Sequence, residues 1–273
     1  MQNKLIVIRG GGDLASGVAL RLHHAGFSVI ILELDTPLMV RRSVSFADAV
    51  YQGHRRVEDV TARLVSADQI MVTLEVGEIP VLVDPQANIL RNQFVTSPQS
   101  TIVVDARLLK TTPELLDVKF PLYIGLGPGF VAGENCTAVI ETRRGHTMGR
   151  VYWRGSAQSD SGEPEGDRRR VLRAPADGAL DVHVEIGEHV KEGQVIATLQ
   201  PEIAMDDFTI VSPFDGILRG MIHSNVRVTR GLKIGDVDRR NDPALCALVS
   251  DKALAVGGGV LEAVLAFFKN AEE

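Results

Sequence analysis

Leu5-Ile6-Val7-Ile8-Arg9-Gly10-Gly11-Gly12-Asp13-Leu14-Ala15 reads as an apolar strand, a glycine turn and the start of a helix. A second apolar run, Val29-Ile30-Ile31-Leu32, follows and ends in Glu33. This order fits the pattern G-x-G-x-x-A, with Gly10 and Gly12 in the glycine places and Ala15 in the last. Gly10 would form the tight turn, Gly12 would let the backbone approach a pyrophosphate, and Ala15 would allow close helix packing. Gly11 lies between them, and the helix beginning at Asp13 offers N–H groups and partial positive charge suited to a phosphate. Glu33, eighteen residues after Ala15, stands where such folds hold an acid for a ribose hydroxyl. Asp13 works in two directions: its carboxylate can cap the helix, but its charge repels an approaching phosphate. A βαβ unit with a glycine turn and no dinucleotide would use the same residues.

A length of 273 residues suggests two domains, or one large domain with an appendage. Apolar residues form 45% of the chain, enough for real cores. The net charge of −6 argues against a general electrostatic grip on nucleic acid or an anionic membrane. Two cysteines, Cys136 and Cys246, stand far apart and outside any metal-ligand spacing. With no signal-peptide pattern and no apolar run read as long enough to span a bilayer, the expected location is the cytoplasm.

Up to about residue 153 short apolar strands alternate with helical or irregular stretches, which predicts a Rossmann-like, mostly parallel α/β sheet. Its candidate strands are 4–9, 28–33, 79–83, 101–104 and 121–125. They end at Gly10, at Glu33 to Asp35, at Asp84-Pro85, at Asp105-Ala106-Arg107 and at Gly125-Leu126-Gly127-Pro128-Gly129. Ligands of open α/β sheets bind outside the carboxyl ends of the strands, so these segments should border one crevice. Residues 154–170 hold Gly, Ser, Pro and charges, and read as a linker whose end, Arg168-Arg169-Arg170, is solvated.

Past the linker an internal repeat runs at a constant offset of 38 residues. Ala174-Pro175-Ala176-Asp177-Gly178 matches Ser212-Pro213-Phe214-Asp215-Gly216, Leu180 matches Leu218, and Val190 matches Val228. Two similar halves of short strands predict a small all-β domain over 171–250, a flattened barrel. The stretch resembles the barrel-sandwich hybrid of biotinyl and lipoyl carriers. Between its halves, however, Gln200-Pro201-Glu202-Ile203-Ala204-Met205-Asp206-Asp207 has no lysine to carry a swinging arm, which puts a carrier role in doubt. A C-terminal helix over 251–273 is expected to run apolar nearly all round after Gly257-Gly258-Gly259, and to pack into a core or an oligomer interface. The glycine triplet fits an anion nest or, better, close packing against another backbone.

Together, Ile8-Arg9-Gly10-Gly11-Gly12-Asp13-Leu14-Ala15-Ser16-Gly17, Val40-Arg41-Arg42-Ser43-Val44-Ser45-Phe46, Gly125-Leu126-Gly127-Pro128-Gly129-Phe130 and Gly257-Gly258-Gly259-Val260-Leu261-Glu262 resemble one family. It is the selenium-dependent molybdenum hydroxylase accessory family, the YqeB-like proteins, related to the accessory proteins of xanthine dehydrogenase. The resemblance implies a maturation factor for a molybdenum hydroxylase apo-enzyme, with a ligand such as a molybdopterin dinucleotide or NAD(P). It carries over no catalytic residue. An NAD(P)-dependent oxidoreductase and a non-catalytic assembly scaffold are the alternatives, and whether the chain is an enzyme stays open. Arg41, Arg42 and Arg107 are candidates to pair with phosphates, Arg107 the best placed, beside Asp105 at a strand end. For Arg41 and Arg42 an ordinary surface or interdomain ion pair is at least as strong an expectation. Cys136 would serve sulfur or selenium transfer as a thiolate, although a lone cysteine at a strand start is more often a buried filler. His146 is a weaker candidate for the crevice. His23 and His24 suit the solvent side of the first helix near its C-terminus. Symmetric homo-oligomers are the general prior.

Overall fold

The computed structural model describes residues 4–92, 97, 100–114, 116–159, 167–203 and 206–272. The chain forms two compact units, one from Met1–Asp35, Ser45–Ser161 and Val249–Glu273, the other from Thr36–Val44 and Gly162–Leu248.

The first unit begins with β1 (Leu5–Arg9), α1 (Asp13–His24) and β2 (Ser28–Glu33), then α2 (Ala49–Gln52), β3 (His54–Val57), β4 (Val60–Leu64), α3 (Ile70–Glu75) and β5 (Ile79–Val83). It continues with β6 (Ile102–Asp105), β7 (Leu122–Leu126), β8 (Val131–Ala132), β9 (Ala138–Ile140), β10 (Val151–Tyr152) and β11 (Gly155–Ser156). Nine of these strands make one sheet in the order β10-β9-β7-β6-β1-β2-β5-β4-β3. β1 lies at its centre because Ile6, Val7 and Ile8 are apolar on both faces and fully buried. The five expected strands stand within a residue or two of their expected bounds.

The Rossmann-like fold expected over residues 1–153 is not what this sheet forms. Its parallel centre is flanked by antiparallel edges, β10 on β9 and β3 on β4, so the sheet is mixed. Nor does a crossover helix follow each strand among the described residues. Among the described residues the β5-to-β6 connection contains only the short 3-10 turn Asn88–Arg91, and those of the β6-to-β7 connection form no helix. Pro113 and Pro121 lie in the latter, where rings without N–H groups oppose a helix. The β3–β4 hairpin, absent from the sequence reading, turns at Glu58-Asp59 with Glu58 at φ +53°.

The uncovered part of one face is filled from the far end of the chain by α4 (Asp251–Glu272), which packs along α1. Ala253, Val256, Val260, Ala263 and Val264 are its buried stripe, and Ala253 and Gly257 meet α1 at Gly17. The glycine triplet lies inside this helix, not before it. An added Cβ on Gly257 would sit 2.6 Å from the Gly17 carbonyl oxygen, so the helices approach backbone to backbone. Contrary to the sequence reading, this C-terminal stretch is long and apolar enough to cross a membrane by length and composition. In the fold its small residues are spent on α1, and Phe268 stacks on Phe27 at 6.2 Å.

The second unit comprises β12 (Val171–Arg173), β13 (Gly178–Val182), β14 (His189–Val190), β15 (Val195–Pro201), β16 (Phe208–Val211), β17 (Gly216–Met221), β18 (Arg227–Val228) and β19 (Lys233–Asp238). The 38-residue repeat is visible in it: β13 corresponds to β17, β14 to β18 and β15 to β19. The expected barrel-sandwich hybrid is replaced by two four-stranded antiparallel sheets, β12-β19-β17-β14 and β16-β15-β13-β18. Each sheet takes two strands from each half, so the halves interlock instead of stacking as separate layers.

Of the expected linker, residues 160–166 lie outside the described residues, as do Ala204 and Met205 of the stretch without lysine. Arg170 is not solvated as expected: it pairs with the buried carboxylate of Asp236, which Arg219 also grips. Arg169 and Arg239 lie over the Phe214 ring, Arg239 at 4.0 Å from its centroid.

Candidate functional site

The parallel register of β1 on β6 sets Arg9 beside Asp105, each the last residue of its strand. Both are inside the protein, 2% and 0% exposed, and Arg9 donates from Nη1 to Asp105 Oδ2 at 3.3 Å. Asp105 is heavily used. Its Oδ1 accepts from Arg107 Nε at 2.9 Å, and its Oδ2 from Arg107 Nη2 at 2.7 Å and from the Tyr123 hydroxyl at 2.9 Å. Tyr123 pairs with Val103, two residues before Asp105 in the β6–β7 register, so the Tyr123 and Asp105 side chains share one face of the sheet.

A second carboxylate closes this group from outside. Glu114 Oε1 accepts from Arg9 Nη2 at 2.9 Å and from Arg107 Nη1 at 2.6 Å, while its side chain stays 58% exposed. Burial alone would raise the Glu114 pKa; the guanidinium of Arg107, with help from Arg9, outweighs it and holds the group at about 2. For Arg107 burial opposes the charge, but Asp105 and Glu114 prevail and its pKa is raised. Burial, then the charge of Asp105, pushes the Tyr123 hydroxyl well above its ordinary value.

The glycine turn stands next to this group. Gly10 has φ +91°, a conformation that favours glycine, and its N–H donates to Leu32 O at 2.7 Å. Its Cβ position lies 3.5 Å from the Arg107 amide nitrogen. Gly11 donates to Glu33 Oε2 at 2.6 Å, and Leu34 N–H to Glu33 Oε1 at 2.7 Å. Both oxygens of Glu33 are thus engaged by the protein's own backbone. Burial raises the Glu33 pKa despite these two hydrogen bonds. The Gly11 carbonyl accepts from Ala47 N–H at 2.8 Å and from the Ser16 hydroxyl at 3.2 Å, which itself accepts from Phe46 N–H at 2.8 Å. Gly12 is the N-cap of α1 and, having no side chain, makes no side-chain cap hydrogen bond, and a Cβ on Gly12 would meet nothing within 4 Å. Asp13 is therefore the first residue of the helix and not its cap. Ala15 is buried.

The other expected residues fall in several places. Gly125 packs beneath Phe130, and Gly129 lies against the backbone of Leu109 and Thr111, donating to Leu109 O at 2.9 Å. Gly127, at φ +99°, faces Leu108. The glycine loop thus supports the segment that presents Glu114. A groove of about 590 Å³ lies at the carboxyl ends of β4 and β5, lined by Leu64, Val65, Val83 and Ile89 among others. Asp84 at its edge accepts from Asn88 Nδ2 and Ile89 N–H.

Cys136 carries a thiol pushed up to about 11 by burial and by the nearby Asp105, against a hydrogen bond from the Gly125 backbone. A thiolate nucleophile needs the opposite surroundings. His146 is exposed in the turn after β9. His23 Nε2 lies 3.1 Å from Gly77 O, and His24 Nε2 lies 3.1 Å from Asp59. Arg41 donates to Leu245 O and Leu248 O, and Arg42 to Met221 O, so both hold residues 36–44 within the second unit. No group of three or more metal-ligating side chains is assembled among the described residues.

Sequence reasoning missed Arg9, Glu114, Tyr123 and Ser16. Arg9 left a signal, a charge at the end of an otherwise apolar, doubly buried strand. Glu114 left none.

No family model matches the chain. A relative from Escherichia coli (strain K12), named Uncharacterized protein YqeB, is 46% identical over 268 residues, which cover 96% of this chain and 48% of that protein. The chain therefore spans about half the length of the curated relative it matches. Among solved structures, the product-bound ectoine utilization protein EutE (DoeB) from Ruegeria pomeroyi overlaps at TM-score 0.26 and 8% identity, over 85% of this chain and 56% of its own. An aspartoacylase family protein from Mesorhizobium loti overlaps at TM-score 0.27 and 9% identity, over 88% and 86%. Scores this low bear on neither fold nor chemistry.

Proposed function

We propose that this YqeB-like chain is a cytoplasmic accessory protein of a molybdenum hydroxylase that binds a phosphate-bearing ligand at the carboxyl ends of β1 and β6. The observation that carries the ligand reading is the start of α1, where a Cβ on Gly12 would meet nothing within 4 Å, together with the guanidinium of Arg107, which follows the end of β6. Helix N-termini attract anions through their N–H groups and their dipole, and an arginine fork adds paired donors. Gly11 takes no part, because its N–H is spent on Glu33. The hydroxylase reading rests on the resemblance at residues 8–17 and 125–130, and a molybdopterin dinucleotide is the cargo that joins the two. A nicotinamide dinucleotide offers the same pyrophosphate. Selenium chemistry finds no activated thiol at Cys136.

Calorimetry on the purified chain with NAD(H), NADP(H) and a molybdopterin dinucleotide tests this, together with capture of the apo-hydroxylase. Binding of a dinucleotide is expected, and Gly12→Val should abolish it while lowering the melting temperature by only a few degrees, since the new side chain meets open space and costs no more than the N-cap preference for glycine over valine. Binding of none of them supports an assembly scaffold, and nicotinamide binding with substrate turnover supports an oxidoreductase.

A further inference from the structure

Two guanidinium groups converge on one oxygen of a carboxylate that is more than half exposed, and this arrangement has a specific chemistry. Arg9 and Arg107 carry two positive charges; Asp105 supplies one negative charge from inside and Glu114 the other from outside. Asp105 is saturated by Arg9, Arg107 and Tyr123, so it cannot satisfy the remaining donors. Removing Glu114 leaves a net positive pair with a buried Arg9 whose Nη2 has lost its partner. A buried cation in that condition demands another anion. The two carboxylates differ in the respect that matters: Asp105 is inaccessible, whereas Glu114 can turn into solvent at little desolvation cost because most of its side chain is already there. A tie with a purely structural role would gain nothing from being the exposed member.

We infer that Glu114 is an internal stand-in for a ligand phosphate, occupying an anion subsite formed by Arg9 and Arg107 and leaving it when a phosphate-bearing ligand binds. The inference deepens the reading of a phosphate site at the ends of β1 and β6, and rests on it. The Cβ position of Gly10 lies 3.5 Å from the Arg107 amide nitrogen, so the glycine turn adjoins the segment that carries Arg107, and a pyrophosphate offers the paired oxygens that two guanidiniums call for. Glu114 sets a threshold: the ligand must offer more than a single carboxylate to displace an intramolecular partner already in place. A pyrophosphate oxygen pair meets that requirement.

Inorganic pyrophosphate titrated into the full-length chain tests the inference. Glu114→Gln removes the competing charge and should tighten pyrophosphate binding about tenfold or more, the effect of one charge-assisted contact. Adding Arg107→Gln to that variant should erase the gain, and succinate at equal concentration should bind far more weakly than pyrophosphate. Equal affinity of the wild-type chain and Glu114→Gln overturns the stand-in role and leaves the phosphate site intact. Failure of both to bind pyrophosphate overturns the site itself. Equal binding of succinate overturns the phosphate specificity. Should Glu114→Gln fold poorly, the carboxyl carbon resonance of Glu114 in the wild-type chain decides: it shifts on saturation with pyrophosphate if Glu114 is released, and a resonance that stays fixed overturns the inference.

Discussion

Glu33 accepts a 2.6 Å hydrogen bond from the Gly11 N–H, so the acid at the end of β2 is bound to the turn at the end of β1. The residue expected to hold a ribose instead closes the glycine turn on itself. Its carboxylate is also held by Leu34 N–H and sits almost out of water, which raises its pKa above the ordinary 4.5 through burial.

The sign of the resulting pH dependence follows from that direction. A carboxyl whose pKa is raised on folding favours the protonated folded state, so its contribution is fully present below 4.5 and is lost as pH rises through the folded value. Glu33→Gln keeps the shape but cannot ionise, and it gives up one of the two accepted hydrogen bonds. The stability of the wild-type chain relative to Glu33→Gln should therefore fall as pH is raised from 4 to 7. Urea unfolding of both chains across that range checks it, and a difference that grows with pH would contradict the assigned burial.

Gly17 and Gly257 let α1 and α4 meet at backbone contact. A Cβ on Gly17 would lie 2.7 Å from the Ala253 carbonyl, inside any tolerable contact, so the two helices would have to separate. Helix propensity favours alanine by about 1 kcal/mol, while overpacking costs about 1–3 kcal/mol, more where backbone atoms block the space. Gly17→Ala should be destabilising by about 2 kcal/mol net. Gly258, exposed and with nothing within 4 Å of its Cβ position, is the internal control. Gly258→Ala should stabilise by up to about 1 kcal/mol, and equal effects of the two substitutions in urea unfolding would refute the packing argument.

What the sequence disclosed was local. Runs such as Leu5–Ile8 and Val29–Leu32 announce buried strands because they are short, rich in β-branched side chains and bounded by turn residues. The 38-residue repeat is legible because each half must satisfy the same turn chemistry at Asp177-Gly178 and Asp215-Gly216. The fold class is not legible because alternating apolar strands do not reveal what joins them: among the described residues only β1 and β2 are joined by a long helix, and the helix that packs on α1 comes from the far end of the chain. The pairing of Arg9 with Asp105 joins residues 96 positions apart through a strand register, and no periodicity records such a meeting. Glu114 was illegible for a related reason, being an exposed acid in a loop with no pattern of its own. Glu33 was read at the right place, but its oxygens turn inward.

Asp236 is fully buried between the guanidiniums of Arg170 and Arg219. Asparagine in its place would keep the volume and remove the carboxylate that both guanidiniums grip, while Asp238 still pairs with Arg219. Because both arginines reach solvent in part, the loss should fall at the low end of that for broken buried pairs, about 3 kcal/mol. Arg170→Gln, which leaves Asp236 with Arg219, should cost clearly less. Thermal unfolding of the two variants ranks them, and a larger loss for Arg170→Gln would show that Arg219 does not carry the pair alone.

Cys136 gives a prediction that separates packing from chemistry. Its thiol is pushed up to about 11 by burial and by Asp105, so at pH 7.5 only a minute fraction is thiolate, the reactive form. Alkylation by iodoacetamide should be slow at neutral pH and rise about tenfold per pH unit with no plateau near 8.5, where a free cysteine levels off. Cys246, buried elsewhere in the fold, is removed as a competing signal by Cys246→Ser. Removing the negative charge with Asp105→Asn should bring the Cys136 profile to lower pH, provided circular dichroism shows the sheet intact. A wild-type profile that levels off below pH 8 would mean an activated thiol, and would return sulfur or selenium transfer to this residue.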